Sequence, residues 1–207
     1  MSRTHGRTHG WAHGWARRSA FGLLAAGILG LGWVAHTVAD ARAYQAIEQR
    51  RFERARQDPD QAPAPTLIEG GAIGEIRIPR LGLAAMVVHG DSASILRRAV
   101  GHVADTALPG EVGNVVLAGH RDTFFRPLKG VLEGDAITLR TRRGDFEYRV
   151  ESTAVVSPGD VQVLEPTGGR TLTLITCFPF SYLGPAPERF IVRARALSTD
   201  TPRPATR

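Results

Sequence analysis

Twenty consecutive residues without a formal charge, Ala20 to Ala39 (AFGLLAAGILGLGWVAHTVA), constrain this chain before anything else does. At about 1.5 Å per residue a helix of that length reaches across a bilayer hydrocarbon core about 30 Å thick. The apolar centre of a cleaved secretory signal is shorter, so residues 20–39 are read as a transmembrane signal anchor. The rival reading is a signal peptide cut after Ala39-Asp40-Ala41, which has the small-x-small form. Arg3, Arg7, Arg17 and Arg18 precede the span and Arg42, Arg50 and Arg51 follow it, so charge does not set its orientation. The order of parts does: a short tail, an early apolar span and a long remainder are expected to leave residues 1–19 in the cytoplasm and the rest outside. Within that tail the repeat RTHG, RTHG, WAHG spaces histidines as one helix face would need for a metal. Its glycine at every fourth residue opposes the helix, so residues 1–19 are read as a disordered tail.

After the span, residues 40–66 divide into a short stalk helix and a spacer. Ala43, Ala46 and Ile47 give Asp40 to Arg56 only a weak apolar side, and Pro59, Pro63 and Pro65 then stiffen a polar run. The folded domain is expected over 67–198, with a disordered tail at 199–207. Strand signals dominate it: Gly74–Pro79, Leu83–Val88, Asn114–Ala118, Ala136–Thr141, Phe146–Val150, a weaker Val161–Leu164, Thr171–Thr176 and Phe190–Ala196. Gly144 suits the left-handed position of the turn between the fourth and fifth of these. Ser92–Arg98 is the candidate short helix, capped by Asp91 or Ser92. About eight short strands predict an all-β, antiparallel barrel or sandwich, and a barrel has the merit of leaving no edges. The net charge of +6 comes almost wholly from scattered arginines, Lys129 being the sole lysine. The densest basic run, Arg50 to Arg56, holds Glu53 and no aromatic platform for bases, which speaks against nucleic acid.

The chain has one cysteine. Cys177 ends the strand-like run TLTLITC, just before Phe178-Pro179, and Pro179 stops ladder pairing. A lone cysteine forms no intrachain disulfide, leaving a buried small side chain, an intermolecular thiol or a nucleophile. His120 takes the same strand-end position in LAGHRDTFF, past Gly119. A thiol and an imidazole on one rim suit acyl transfer, in which the thiolate attacks a carbonyl and the histidine protonates the departing amine. The oxyanion needs a fixed donor, and Arg121, Arg126, Arg189, Arg193 and Arg195 are all candidates that spacing does not separate. His102, also preceded by glycine, is read as structural or groove-lining, and Asp122 as a turn former rather than the orienter of His120. Glu111, Asp122, Glu133 and Asp135 are scattered acids without the spacing of a metal site, so neither metal nor cofactor is expected.

These motifs, in order from about Gly74 to Arg195, resemble the sortase family of membrane-anchored cysteine transpeptidases. The likeness is carried by GEIRIP at 74–79, GH at 101–102, TALPGE at 106–111, GN at 113–114, AGHRD at 118–122, TLITC at 173–177 and APERFIV at 186–192. GHRDTFF and TCFPF are most similar to class D sortases and related enzymes of Gram-negative bacteria. The resemblance implies a closed eight-stranded barrel with short helices behind one transmembrane helix, with Cys177 as nucleophile, His120 as acid and base, and Arg189 as oxyanion and substrate clamp. It implies substrate proteins bearing a C-terminal LPxTG-like sorting signal, cleaved after the threonine, and an amine acceptor on a cell-wall precursor or pilin. It also implies a single-pass protein of the bacterial cytoplasmic membrane with its domain outside. Two other classes stay open: a cysteine hydrolase, in which water resolves the thioacyl intermediate, and a tethered binding barrel with an inert thiol.

Overall fold

Short runs of alternating side chains bury one face each when the sheet that carries them closes on itself. The computed structural model describes the backbone of residues 10–58, 67–182 and 184–197, and side chains from residue 18 onward. Eight strands, β1 (Ala72–Ile78), β2 (Leu83–His89), β3 (Val100–His102), β4 (Gly113–Ala118), β5 (Ala136–Thr141), β6 (Gly144–Val156), β7 (Arg170–Phe178) and β8 (Glu188–Ala196), form a closed barrel in the order β1-β2-β3-β4-β7-β8-β6-β5. Two neighbouring pairs, β2 with β3 and β4 with β7, are parallel, which corrects the wholly antiparallel expectation. The reason is connection length: the chain between β4 and β7 is long enough to carry the β5–β6 hairpin across, whereas a tight turn joins only antiparallel strands. Inward residues fill the lumen, with Ile76, Val100, Leu117, Ile137, Leu172, Leu174 and Val192 fully buried. Each such side chain contributes roughly 1.5–3 kcal/mol.

The strand count agrees with the expectation, but two of its members differ. Val161–Leu164 is a short 3-10 helix, fastened where Asn114 Nδ2 donates to the Val163 carbonyl at 3.0 Å. The missing strand is β3, three residues long, and its glycine kept it from reading as a strand. The β5–β6 turn shrinks to Arg142 and Arg143, because Gly144, at φ 134°, already pairs with Thr141. The expected Ser92–Arg98 helix is a single turn, α2 (Ala93–Leu96).

Helix α1 runs from Gly10 to Gln57, and within it lies a stretch long and apolar enough to cross a membrane. It starts inside the tail expected to be disordered; residues 1–9 of that tail, most of the Pro-rich spacer and the end after 197 lie outside the described residues. Phe21, Leu23, Leu29, Leu31 and Trp33 on this stretch are all exposed, which suits an apolar surrounding and not water. The compact unit holding the barrel takes in Ala43 onward, earlier than the Leu67 start expected. Phe52 is 4% exposed, with the guanidinium groups of Arg56 and Arg140 at 5.6 and 6.0 Å from its ring centre. Arg140 Nη1 bonds both Glu53 and the buried Glu75 at 2.8 and 2.7 Å, and Arg56 donates to the Thr141 carbonyl and to Asp145. Higher on the helix, Gln45 receives the Met86 amide at 2.8 Å and donates to the Arg98 carbonyl at 2.7 Å. Residues that read as a weakly amphipathic stalk thus form a seam along β1, β2 and β5.

Candidate active site

The parallel pairing of β4 and β7 decides what meets at their ends. Ala118 lies opposite Ile175, so the next residues but one on each strand path are His120 and Cys177. Two bonds hold these ends together: the Gly119 amide donates to the Ile175 carbonyl at 3.1 Å, and the buried Thr176 hydroxyl to the Gly119 carbonyl at 2.7 Å. Gly119 cannot be replaced cheaply, because a Cβ there would lie 2.7 Å from the ring of Phe125. That ring, fully buried, closes the turn after His120, and the Phe125 amide donates to the His120 carbonyl at 3.1 Å.

On its other side β7 pairs antiparallel with β8, and Cys177 is directly opposite Arg189. Opposed residues project from the same face with Cβ atoms about 4.5–5.5 Å apart. Register therefore separates the five arginines that spacing left equal. Arg193 and Arg195 pair with Thr173 and Thr171, progressively farther from the thiol, and Arg195 is bound to Glu151 at 2.7 Å. Arg126 is largely exposed, 4.0 Å from Asp122. Arg121 is buried and donates to backbone carbonyls. Arg189, half-buried, donates to the carbonyls of Glu188 and Ala186 at 2.9 and 3.3 Å, which fixes its fork at the start of β8. Cys177 is likewise half-buried, at the mouth and not in the core.

Phe178, Phe180 and Phe190 form a cluster next to Cys177 in the ladder, with ring centres 5.3–6.1 Å apart and Phe180 and Phe190 packed against the core. Sequence reasoning passed over this aromatic wall, although the FPF after Cys177 was its signal. The other Gly-His pair has a different fate. His102 is 1% exposed; its Nε2 lies 2.9 Å from the Ala107 carbonyl and 3.1 Å from the Thr106 hydroxyl, while its Nδ1 is 3.3 Å from Nδ1 of His89. The carbonyl requires a proton on Nε2, so His89 is the donor to Nδ1 in the neutral pair. Burial holds the His102 imidazole below its ordinary pKa. Asp122 is exposed and lies 3.4 Å from Arg121 Nε, so it belongs to the turn. Among the acids weighed for a metal, Glu111 accepts the Leu108 amide and Asp135 is bound by Arg80 and the Leu132 amide. Among the described residues no group of three or more His, Cys, Asp or Glu is disposed to hold a metal ion.

The chemistry open to this strand end is that of a thiol with a cation opposite it in register and a histidine at the end of the neighbouring strand. Such a set can attack a carbonyl, hold the oxyanion and move one proton.

Residues 76–197 match the family described as Sortase domain. Sortase D of Bacillus subtilis is 36% identical over 130 residues, covering 62% of this chain and 66% of that protein. Sortase SrtE1 of Streptomyces coelicolor is 33% identical over 167 residues, covering 71% of this chain and 46% of the relative. The chain thus spans just under two thirds of the first relative's length and under half of the second's. Among solved structures, the Sortase D5 transpeptidase of Clostridium perfringens superposes with a TM-score of 0.64 at 26% identity, covering 77% of this chain and 99% of that one.

Proposed function

The chain belongs to the sortase family, and on that premise we propose that it is a cysteine transpeptidase acting on proteins with a C-terminal sorting signal of LPxTG-like form. Class D is the subclass favoured by the relatives' names. Cys177 Sγ attacks the threonine carbonyl, and Arg189 holds the oxyanion that forms. As the tetrahedral intermediate collapses, the C–N bond breaks and His120 gives its proton to the departing amine. An amine of the acceptor, on a cell-wall precursor or pilin-type protein, then attacks the thioester. His120 takes that amine's proton, and the thiolate leaves. The observation that carries the reading is the double register at β7: Arg189 opposite Cys177 on one side and the His120 strand end on the other. Residues 20–39 anchor the protein in the bacterial cytoplasmic membrane as a single pass with the barrel outside; their length, apolarity and exposure favour this.

Mass spectrometry of the full chain in detergent, mixed with a small library of sorting-signal peptides with and without an amine, tests it. A peptide adduct on Cys177 that converts to an amine-linked product is the expected result. Release to water alone, whatever amine is added, would make the protein a cysteine hydrolase. No adduct with any peptide, and slow alkylation of Cys177, would leave a tethered binding barrel.

A further inference from the structure

We infer that Arg121 is a positioning residue for this site, clamping the β7–β8 loop to the strand end that bears His120; the inference rests on the transpeptidase reading. Arg121 follows His120 in the chain, is 7% exposed, and carries a charge that burial penalises unless it is well partnered. Its partners lie in one loop. Nη1 donates to the Pro179 carbonyl at 2.8 Å, and Nη2 to the carbonyls of Tyr182 and Gly184 at 2.5 and 3.1 Å. The Tyr182 ring lies 6.0 Å from the guanidinium carbon. The carboxylate at hand, Asp122, is 65% exposed and 3.4 Å away, so carbonyl dipoles are the principal counterweight to the buried charge.

That loop begins two residues after Cys177 and leads into Arg189. Arg189 grips the same loop from its far end, through the carbonyls of Ala186 and Glu188. Thiol, imidazole and guanidinium thus sit on three chain segments, and one side chain, Arg121, ties the imidazole's segment to the connection between the other two. A fan of carbonyls needs the planar fork of arginine, which a lysine ammonium does not reproduce. Because a misplacement of about 1 Å can cost 10²-fold in rate, loss of the clamp acts on turnover even though Arg121 itself touches no substrate.

The test compares the wild-type chain, Arg121→Met and Arg121→Lys, all full length in detergent, with the sorting-signal peptide that acylates the wild type best. Arg121→Met is expected to lower kcat about tenfold or more with little change in KM, and Arg121→Lys to recover only part of that loss. Alkylation of Cys177 by iodoacetamide, which needs no groove, should stay within about twofold. Hydrogen exchange at the Ser181, Tyr182 and Gly184 amides should rise about tenfold while the β7 and β8 amides keep their protection. Wild-type turnover and loop protection in Arg121→Met would overturn the inference. So would a loss that follows a lowered Tm, with protection falling across the whole barrel, since that marks a merely structural role. If the wild type itself takes no peptide, the transpeptidase reading fails, and unchanged loop exchange in Arg121→Met would remove the clamp separately.

Discussion

The dipeptide Gly-His occurs in two neighbouring strand regions, with Gly101 paired to Ala118 in the β3–β4 ladder, yet the two histidines live in different chemistry. His102 is sealed in, both ring nitrogens engaged, and its burial disfavours a charge. His120 stands two residues past the end of its strand ladder, half-buried, and among the described residues no side-chain hydrogen bond occupies its ring. A histidine that must take and give a proton needs a vacant nitrogen and access to the reacting atoms, whereas one that braces a fold needs neither. The dipeptide is the same; the difference is made by where the ladder stops.

Substitutions should pull the two regions apart. The largest effect is expected from His120→Ala, a fall of about 10²–10⁴ in kcat/KM by peptide acylation, with urea unfolding unchanged. Equal losses from His102→Leu, per folded molecule, would break the comparison. Phe52→Ala extends the bracing side outward to the helix seam and should cost about 3 kcal/mol in chemical unfolding, leaving kcat of the folded fraction intact. Arg189→Lys tests the reactive side again. Keeping the charge but losing the fork should lower kcat/KM about tenfold to a hundredfold, read under single-turnover conditions. The smallest is a pH effect. The lowered His102 pKa means that the unfolded chain binds a proton the folded one resists, so this contribution to stability is full above about pH 6.5 and shrinks as pH falls below it. Denaturant midpoints between pH 7.5 and 5 should slope accordingly, and His102→Leu should flatten the slope while costing about 1–2 kcal/mol of its own. His89 and Glu111 face the same ring.

Much of this was legible in residue order because strand ends are punctuated. Gly119 before His120 and Pro179 after Cys177 mark where two ladders stop, and both residues lie where those marks put them. What order could not carry was lateral pairing. By spacing Arg189 stood equal with four other arginines, and only the family resemblance singled it out; the β7–β8 register sets it opposite the thiol, and register is a property of two strands at once. β3 escaped notice because three residues give no period to read, and Val161–Leu164 misled because V-Q-V-L alternates while a side-chain bond from Asn114 holds it as a turn of helix. The docked end of α1 was hidden by its own charges: Glu53, Arg54 and Arg56 around Phe52 look solvated until Arg140 and Asp145 come from the barrel to meet them.

The parallel join between β4 and β7 has a consequence for how the protein comes alive. His120 and Cys177 are brought together by strands whose partners lie far apart along the chain, with the β5–β6 hairpin synthesised between them. Closing so long a loop is entropically slow and follows the local hairpins. Cys177 and His120 therefore leave the ribosome unpaired; the two strand ends meet last, as a by-product of closing the barrel.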